Sequence, residues 1–344
     1  MTKINEIKLT NMKQISVSAP SNIAFLKYWG KKNKALQWPA GNSLSMTLSK
    51  AVTKTTLTRA NQSSDRVFYG GSKQASIDGR VTKHLDYLRD QFKADIFVDV
   101  ETENSFPASC GIASSASGFA ALTVAFSALY KEASSYDELV NKIPAETLSL
   151  HARMGSGSAG RSCMGGYVSW LKGTTAHEQS FRREYDQNFF PLCDLIVVLS
   201  NSKKAVSSSE AHDAAWSSPL FLPRVAGTEE LHHEMLECLG EKDFSGLGRL
   251  MEDDALNMHA VAMTGTNPIH YLRKDTLNLA SWIRRKRNEM AFEAYFTIDA
   301  GPNVHVICRP GDKQKVLAAI RSDFEVVDII EDETGGGPKI IDYC

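Results

Sequence analysis

Four stretches of the chain gather side chains that can do chemistry. SNIAFLKYWGKK (21–32) sets Lys27, Lys31 and Lys32 around Tyr28 and Trp29, enough local positive charge to neutralise an anionic substrate. SFPASCGIASSASG (105–118) is built from small residues that let a backbone approach a ligand closely, and Ser114, Ser115 and Ser117 stand where a helix should begin. A helix start offers unpaired N–H groups and partial positive charge, a combination suited to phosphate. GSGSAGRS (155–162) adds the hydroxyls of Ser156 and Ser158 and the guanidinium of Arg161. That guanidinium can grip a carboxylate or phosphate with two parallel bonds. FTIDAGPN (296–303) puts Asp299 at a strand end before a Gly-Pro turn, a place for a general base.

Each stretch also has an ordinary reading. The serines can cap a helix, the Arg161 loop can be a surface loop, the lysines a solvated face, and Asp299 a turn cap. No GKS or GKT follows residue 111, so the small-residue stretch is not a Walker A loop. Taken together, two anion-holding stretches with Arg, Lys and Asp partners describe a phosphate-handling enzyme.

Alternating strands and amphipathic helices must position these residues. Ile15, Val17 and Ala19 alternate with polar residues and predict a strand running into Pro20; residues 43–60 predict one or two more, and Ile96, Val98 and Val100 another. Val81, Leu85, Leu88 and Phe92 mark a helix, and Phe119, Leu122, Phe126 and Leu129 the apolar face of a second. A short helix near 145–153 and the strand-like YVSWLK follow. A polar segment ends at Pro191, where the domain boundary is expected, giving units 1–190 and 191–344. DLIVVLS (194–200) reads as a buried strand, followed by helices near 228–240, 244–262 and 274–289. AYFTID and VHVICR are strands, KQKVLAAIRSD a helix, FEVVDIIED a last strand, and ETGGGPKIIDYC a flexible end. The mixture is α+β.

Composition narrows the partners. The 344 residues are 42% hydrophobic and 23% charged, so disorder is excluded as the main state. A net charge of -1 offers no field for nucleic acid or an anionic membrane. The 6 cysteines form no CxxC pair and the histidines no metal-ligand spacing. The N-terminus lacks an apolar signal core and no long apolar run exists, so a cytoplasmic protein is expected.

APSNIAFLKYWGK with NSLSMTLS, FPASCGIASSASGFAAL, GSGSAGRSCMGGYVSW, NMHAVAMTGTNPIHYL and AYFTIDAGPNVHVI closely resemble, in order, the signature segments of diphosphomevalonate decarboxylases. The resemblance implies a GHMP kinase fold: an N-terminal domain like ribosomal protein S5 domain 2 and a ferredoxin-like C-terminal domain. It implies ATP-dependent decarboxylation of (R)-5-diphosphomevalonate to isopentenyl diphosphate through phosphorylation of the 3-hydroxyl. In that reaction Asp299 would accept or orient the hydroxyl proton, Arg161 hold the carboxylate and Lys27 stabilise charge at the reacting centre. Ser109, Gly111, Ala113, Ser114, Ser115 and Ser117 would hold ATP, with Mg²⁺ near Ser115. The substrate would meet Tyr28, Trp29, Gly30, Lys31, Arg80, Ser156, Gly157, Ser158, Ala159, Gly160, Arg161 and Ser209. The family resemblance also implies a homodimer.

The chain departs from the family in places. Gly160 stands where Cys is usual, Ala40-Gly41 precedes NSLS, and AVSSSEAHDAAW follows the usual SS-x-x-GM only loosely. Alternatives of the same fold are a kinase that stops at the 3-phosphate and a decarboxylase of the 5-monophosphate. Outside enzymes, the alternative is a nucleotide-binding sensor, which would be expected to have lost Asp299, Arg161 or the serines.

Overall fold

The computed structural model describes residues 12–70, 72–73, 75–107, 112–200, 206–289 and 292–344. It begins with β1 (Gln14–Leu26), in which Ile15, Val17 and Ala19 are fully buried. The strand does not stop at Pro20. A register shift between Pro20 and Asn22 forms a bulge, which absorbs a residue that has no ladder N–H to give.

In chain order there follow β2 (Lys31–Asn33), β3 (Trp38–Pro39), β4 (Ser43–Arg59), β5 (Arg66–Tyr69), β6 (Ser72–Lys73), α1 (Ala75–Phe92), β7 (Val98–Asn104), α2 (Ser114–Lys131), α3 (Tyr136–Lys142) and α4 (Ala145–Gly155). A 3₁₀ turn (Gly157–Cys163), β8 (Tyr167–Leu171) and β9 (Ser180–Tyr185) come next. The remainder is β10 (Cys193–Val198), α5 (Ser208–Ala214), α6 (Phe221–Gly240), α7 (Phe244–Met263), α8 (Lys274–Glu289), β11 (Ala294–Thr297), β12 (Val304–Cys308), α9 (Lys313–Asp323), β13 (Asp328–Glu333) and β14 (Lys339–Tyr343).

Among the described residues the first sheet runs β14-β1-β4-β7-β5-β6, with β8 and β9 added along the early part of β4. Helix α2 packs on it and is buried on nearly every side from Ala116 to Leu129, more fully than a single apolar face predicts. The second sheet, β11-β12-β10-β13, is antiparallel. One face, with Leu195, Phe296 and Val306, packs under Leu279 and Ile283 of α8 and Val316 and Ile320 of α9. Its other face, with Ile196, Tyr295 and Ile307, meets Phe25, Leu26 and Met46 of the first sheet and Phe244 and Met251 of α7. The two sheets therefore share a core rather than touching at their rims.

Polar groups bind the same seam. Thr297 Oγ1 donates to Ala24 O at 3.3 Å. The buried Asp332 carboxylate accepts the backbone N–H groups of Ser49, Lys50 and Ala51 at 2.8, 2.9 and 2.7 Å.

The segment expected to be a flexible end is ordered. Gly335 exchanges backbone bonds with Gly166 and Thr47, and β14 pairs antiparallel with β1, from Ile15 opposite Tyr343 to Ser18 opposite Lys339. Glycine makes the approach possible: a Cβ on Gly165, whose φ is +81°, would lie 2.1 Å from Gly337 N. No helix among the described residues is long and apolar enough to cross a membrane.

Candidate active site

A cavity of about 890 Å³ opens where the end of β1, the start of α2, the 3₁₀ turn, the start of α5 and the turn after β11 converge. Lys27, Arg161, Asp299, Ser115, Ser156, Arg80 and Ser209 all line it. Residues drawn from the whole length of the chain thus meet in one space.

At its centre Lys27 Nζ lies 2.5 Å from Asp299 Oδ1. The Lys27 side chain is 2% exposed, so the ammonium has little water to compete for it. Burial pushes the Asp299 carboxyl up, but Lys27, His305 and Arg161 outweigh that and hold it below the ordinary carboxylate value. It is ionised at neutral pH. The backbone of Lys27 is clamped as well: its N–H donates to Asp254 Oδ2 at 2.7 Å and its carbonyl accepts from Arg224 Nη2 at 3.2 Å. Arg224 and Asp254 are themselves a buried ion pair at 2.8 Å, held by α6 and α7.

Arg161 is buried in the 3₁₀ turn. Its Nε donates to Asn22 Oδ1 at 3.2 Å and Nη1 to Ser43 Oγ at 2.8 Å. Asn22 is fixed in turn by Ser162 Oγ at 2.8 Å and Ser158 O at 3.2 Å. Nη2 has no hydrogen-bond partner among the described residues and is left for a ligand. Burial lowers the guanidinium to about 10, partly offset by Asp299, so it keeps its charge at neutral pH.

Helix α2 starts at the cavity with Ala113 as its N-cap and no side-chain cap, against the expectation of a serine cap. Ala113, Ser114 and Ser115 line the cavity, and Ser115 Oγ lies 3.2 Å from Ser156 Oγ. Ser114 N–H and Ala116 N–H donate to Ile112 O and Ala113 O at 2.9 Å, and a helix start without a side-chain cap, beside two hydroxyls, suits a phosphate. Ser117 does not belong to it. One turn further on, it is fully buried and bonded to Thr53 Oγ1 at 2.6 Å, on the sheet side of the helix. Ser109 and Gly111 lie outside the described residues.

Tyr28, Trp29, Lys31, Gly157 and Ser158 also line the cavity. A Cβ on Gly157 would stand 2.8 Å from the Tyr28 ring, so the turn and the aromatic fit only without one. Gly30 has φ +79° and contributes its backbone N–H, which donates to His212 Nδ1 at 2.9 Å. Arg80, one turn into α1, lies over the Phe119 ring and donates to Gly155 O at 3.2 Å.

Ala159 and Gly160 are buried behind the turn and do not reach the cavity. At Gly160 a Cβ would be 2.2 Å from Phe181 Cζ, so the Phe181 ring fills the space a larger residue would need. Gly160→Cys is expected to destabilise the protein by about 1–3 kcal/mol, the usual range for overpacking. Adding Phe181→Leu should recover part of it. Unfolding midpoints of the two variants check this, and a Gly160→Cys midpoint equal to wild type would disprove it.

Asn22, Asp254, Arg224 and His212 escaped the sequence reading. Asn22 sat in the segment SNIAFLK and shares a strand face with Ala24, which also lines the cavity, so the alternation could have found it. The Arg224–Asp254 clamp carries no local signal, because its partner is a backbone 197 residues from Arg224.

Known proteins resemble the chain along most of its length. Residues 19–182 match the family model of the diphosphomevalonate decarboxylase-like N-terminal domain, and residues 194–340 that of the mevalonate 5-diphosphate decarboxylase C-terminal domain. The diphosphomevalonate decarboxylase of Candida albicans is 33% identical over 91% of this chain and 89% of its own. The mevalonate diphosphate decarboxylase structure from Staphylococcus aureus superposes with a TM-score of 0.88 at 31% identity, covering 96% of this chain and 98% of that one. A complex of MDDEF with MVAPP, AMPPCP and magnesium superposes with a TM-score of 0.87 at 30% identity, covering 96% and 99%.

Proposed function

The chain belongs to the diphosphomevalonate decarboxylase family, and from that premise we propose the following assignment of its residues to the family's reaction. It is an ATP-dependent decarboxylase with the α+β GHMP kinase fold, converting (R)-5-diphosphomevalonate, with Mg²⁺, to isopentenyl diphosphate, ADP, phosphate and carbon dioxide. The observation that carries the assignment is the Lys27–Asp299 pair facing the free edge of Arg161 in one cavity, beside an uncapped helix start.

A tertiary alcohol is a poor leaving group, so the 3-hydroxyl oxygen first takes the γ-phosphoryl group. Asp299 accepts the hydroxyl proton and aims the oxygen; because phosphoryl transfer proceeds through a loose transition state, alignment matters more than base strength. Lys27 neutralises the charge that builds on the transferring oxygens. The C3–O bond then breaks, phosphate departs, and the electrons of the C1–C2 bond form the C2=C3 alkene as carbon dioxide leaves. Arg161 holds the carboxylate in line for that step through Nη2, its other nitrogens being committed to Asn22 and Ser43.

The nucleotide's phosphates sit on the start of α2, with Ala113, Ser114 and Ser115. Mg²⁺ would be held there mainly by the nucleotide's phosphate oxygens and water, with the Ser115 hydroxyl as its protein oxygen, and would neutralise phosphate charge. Lys31, Arg80 and Ser209 take the substrate's diphosphate. The units 1–190 and 191–344 supply the two walls, and the enzyme works as a homodimer in the cytoplasm.

Steady-state assays with mevalonate, its 5-phosphate and its 5-diphosphate test the assignment. Turnover should favour the 5-diphosphate and release ADP, phosphate and carbon dioxide one to one to one. ADP without carbon dioxide would make the chain a 3-kinase, and preference for the 5-phosphate would overturn the substrate.

A further inference from the structure

Segment 205–216 is one of the places where the chain departs from its family's pattern, and the reaction as assigned gives His212 no task. Its ring is 7% exposed and lines the cavity. It lies against Tyr28, with centroids 4.3 Å apart, and Trp29, at 4.9 Å. These contacts leave it little freedom to turn.

The tautomer follows from the hydrogen bonding. Gly30 N–H can only donate, and it points at Nδ1 from 2.9 Å. Nδ1 therefore carries no proton, and the neutral ring bears its hydrogen on Nε2. Burial, with Lys31 and Arg161 nearby, lowers the imidazole to about 3, so the ring stays neutral across the working range. Nε2 has no hydrogen-bond partner among the described residues and is not among the fully buried atoms left without one. It is an oriented donor on a residue of the cavity wall, near enough to the Arg161 that meets the carboxylate and the Lys31 assigned to the diphosphate to feel both charges.

We propose that His212 is a substrate-binding residue, donating Nε2–H to the phosphoryl group attached at C5. This rests on the substrate assigned above. Only a few bonds separate C3 from the first phosphorus, so a donor that shares the cavity with Arg161, near enough to feel its charge, is within reach of that proximal phosphoryl group. A neutral donor also grips the phosphoryl group without offering the Asp299 carboxylate a second cation in place of Lys27.

Two substitutions separate the ring's two atoms. In His212→Asn the amide oxygen can replace Nδ1 as acceptor for Gly30 but the Nε2 donor is gone. In His212→Gln the amide nitrogen can reach the Nε2 position. His212→Asn should raise KM for the 5-diphosphate roughly tenfold or more, the range for a hydrogen bond to a charged group, with kcat changed far less. It should weaken 5-phosphomevalonate as a competitive inhibitor by the same factor, since both ligands carry the proximal phosphoryl group. His212→Gln should restore most of the loss. An Asn variant that binds like wild type, or better than Gln, would make His212 a latch on Gly30 alone and overturn the proposal.

A direct readout needs no variant. In wild-type protein with ¹⁵N-labelled histidine, saturating 5-diphosphomevalonate should move the His212 Nε2–H resonance downfield. An unmoved resonance with substrate bound would overturn this proposal and leave the decarboxylase assignment standing. Failure of wild type to bind 5-diphosphomevalonate would overturn both.

Discussion

Asp299→Asn should lower kcat by roughly 10²–10⁴-fold, the range for loss of a positioned acid or base. The substitution is nearly isosteric, so the turn after β11 should hold and the nucleotide, seated on α2, should bind close to wild type. It removes the negative charge that Lys27 meets at 2.5 Å and leaves that ammonium 2% exposed without its counter-ion. Some of the loss will therefore come through a displaced Lys27. Steady-state kinetics and nucleotide titration together check the prediction; near wild-type turnover would remove Asp299 from the mechanism. The wild-type pH profile adds a constraint. A depressed carboxylate stays ionised until pH falls through its lowered value, so Asp299 in the free enzyme should set no acid limb in kcat/KM above about 3.8.

Arg161→Lys should cost almost as much, although the charge is kept. Lysine has no fork: it cannot serve Asn22, Ser43 and a carboxylate at once. Losing the Nη2 bond to the carboxylate and the Nε bond to Asn22 that aims it, at about 1.5–3 kcal/mol each, predicts a fall in kcat/KM of roughly 10²–10⁴-fold. Asn22 Oδ1 and Ser43 Oγ would also lose a buried donor, so the unfolding midpoint should fall too. The informative ratio is carbon dioxide to ADP. If Arg161 holds the carboxylate for the second step, the variant should leak 3-phosphorylated intermediate, and carbon dioxide should fall short of ADP. Full coupling at wild-type rates would mean that the carboxylate is held elsewhere.

The pieces of this site were legible in the sequence, but its pairing was not. Asp299 alone reads as a turn cap and Lys27 as part of a basic face. Only the fold shows that residues 272 apart in the chain form one pair. The helices and most strands follow their periodicity because each has one face on a core. Periodicity failed where the backbone broke its own rule. β1 passes through Pro20 by a bulge. β9 hides behind its charges because Arg182 and Arg183 are exposed while Phe181 is buried against Trp170. Gly335 and Gly337, in a run that composition reads as flexible, are small so that two backbones can touch. Ser117 shows the converse: a residue of the right type in the right motif, turned to the sheet side of its helix by the two steps of about 100° that separate it from Ser115.

Strand β14 bears on how the protein is made. The first sheet is begun by β1, yet its neighbour on one side leaves the ribosome more than three hundred residues later. At synthesis rates of about 5–20 residues per second, that edge of β1 waits on the order of half a minute for its partner. During the wait it presents unpaired backbone N–H and C=O groups, the template on which strands of other chains add. The residues that mitigate this are already in place: β1 alternates Gln14, Ser16 and Ser18 with its apolar positions, and the edge is short before Pro20. Vectorial synthesis therefore favours a nascent chain in which α2 and β4 settle first and the sheet closes last.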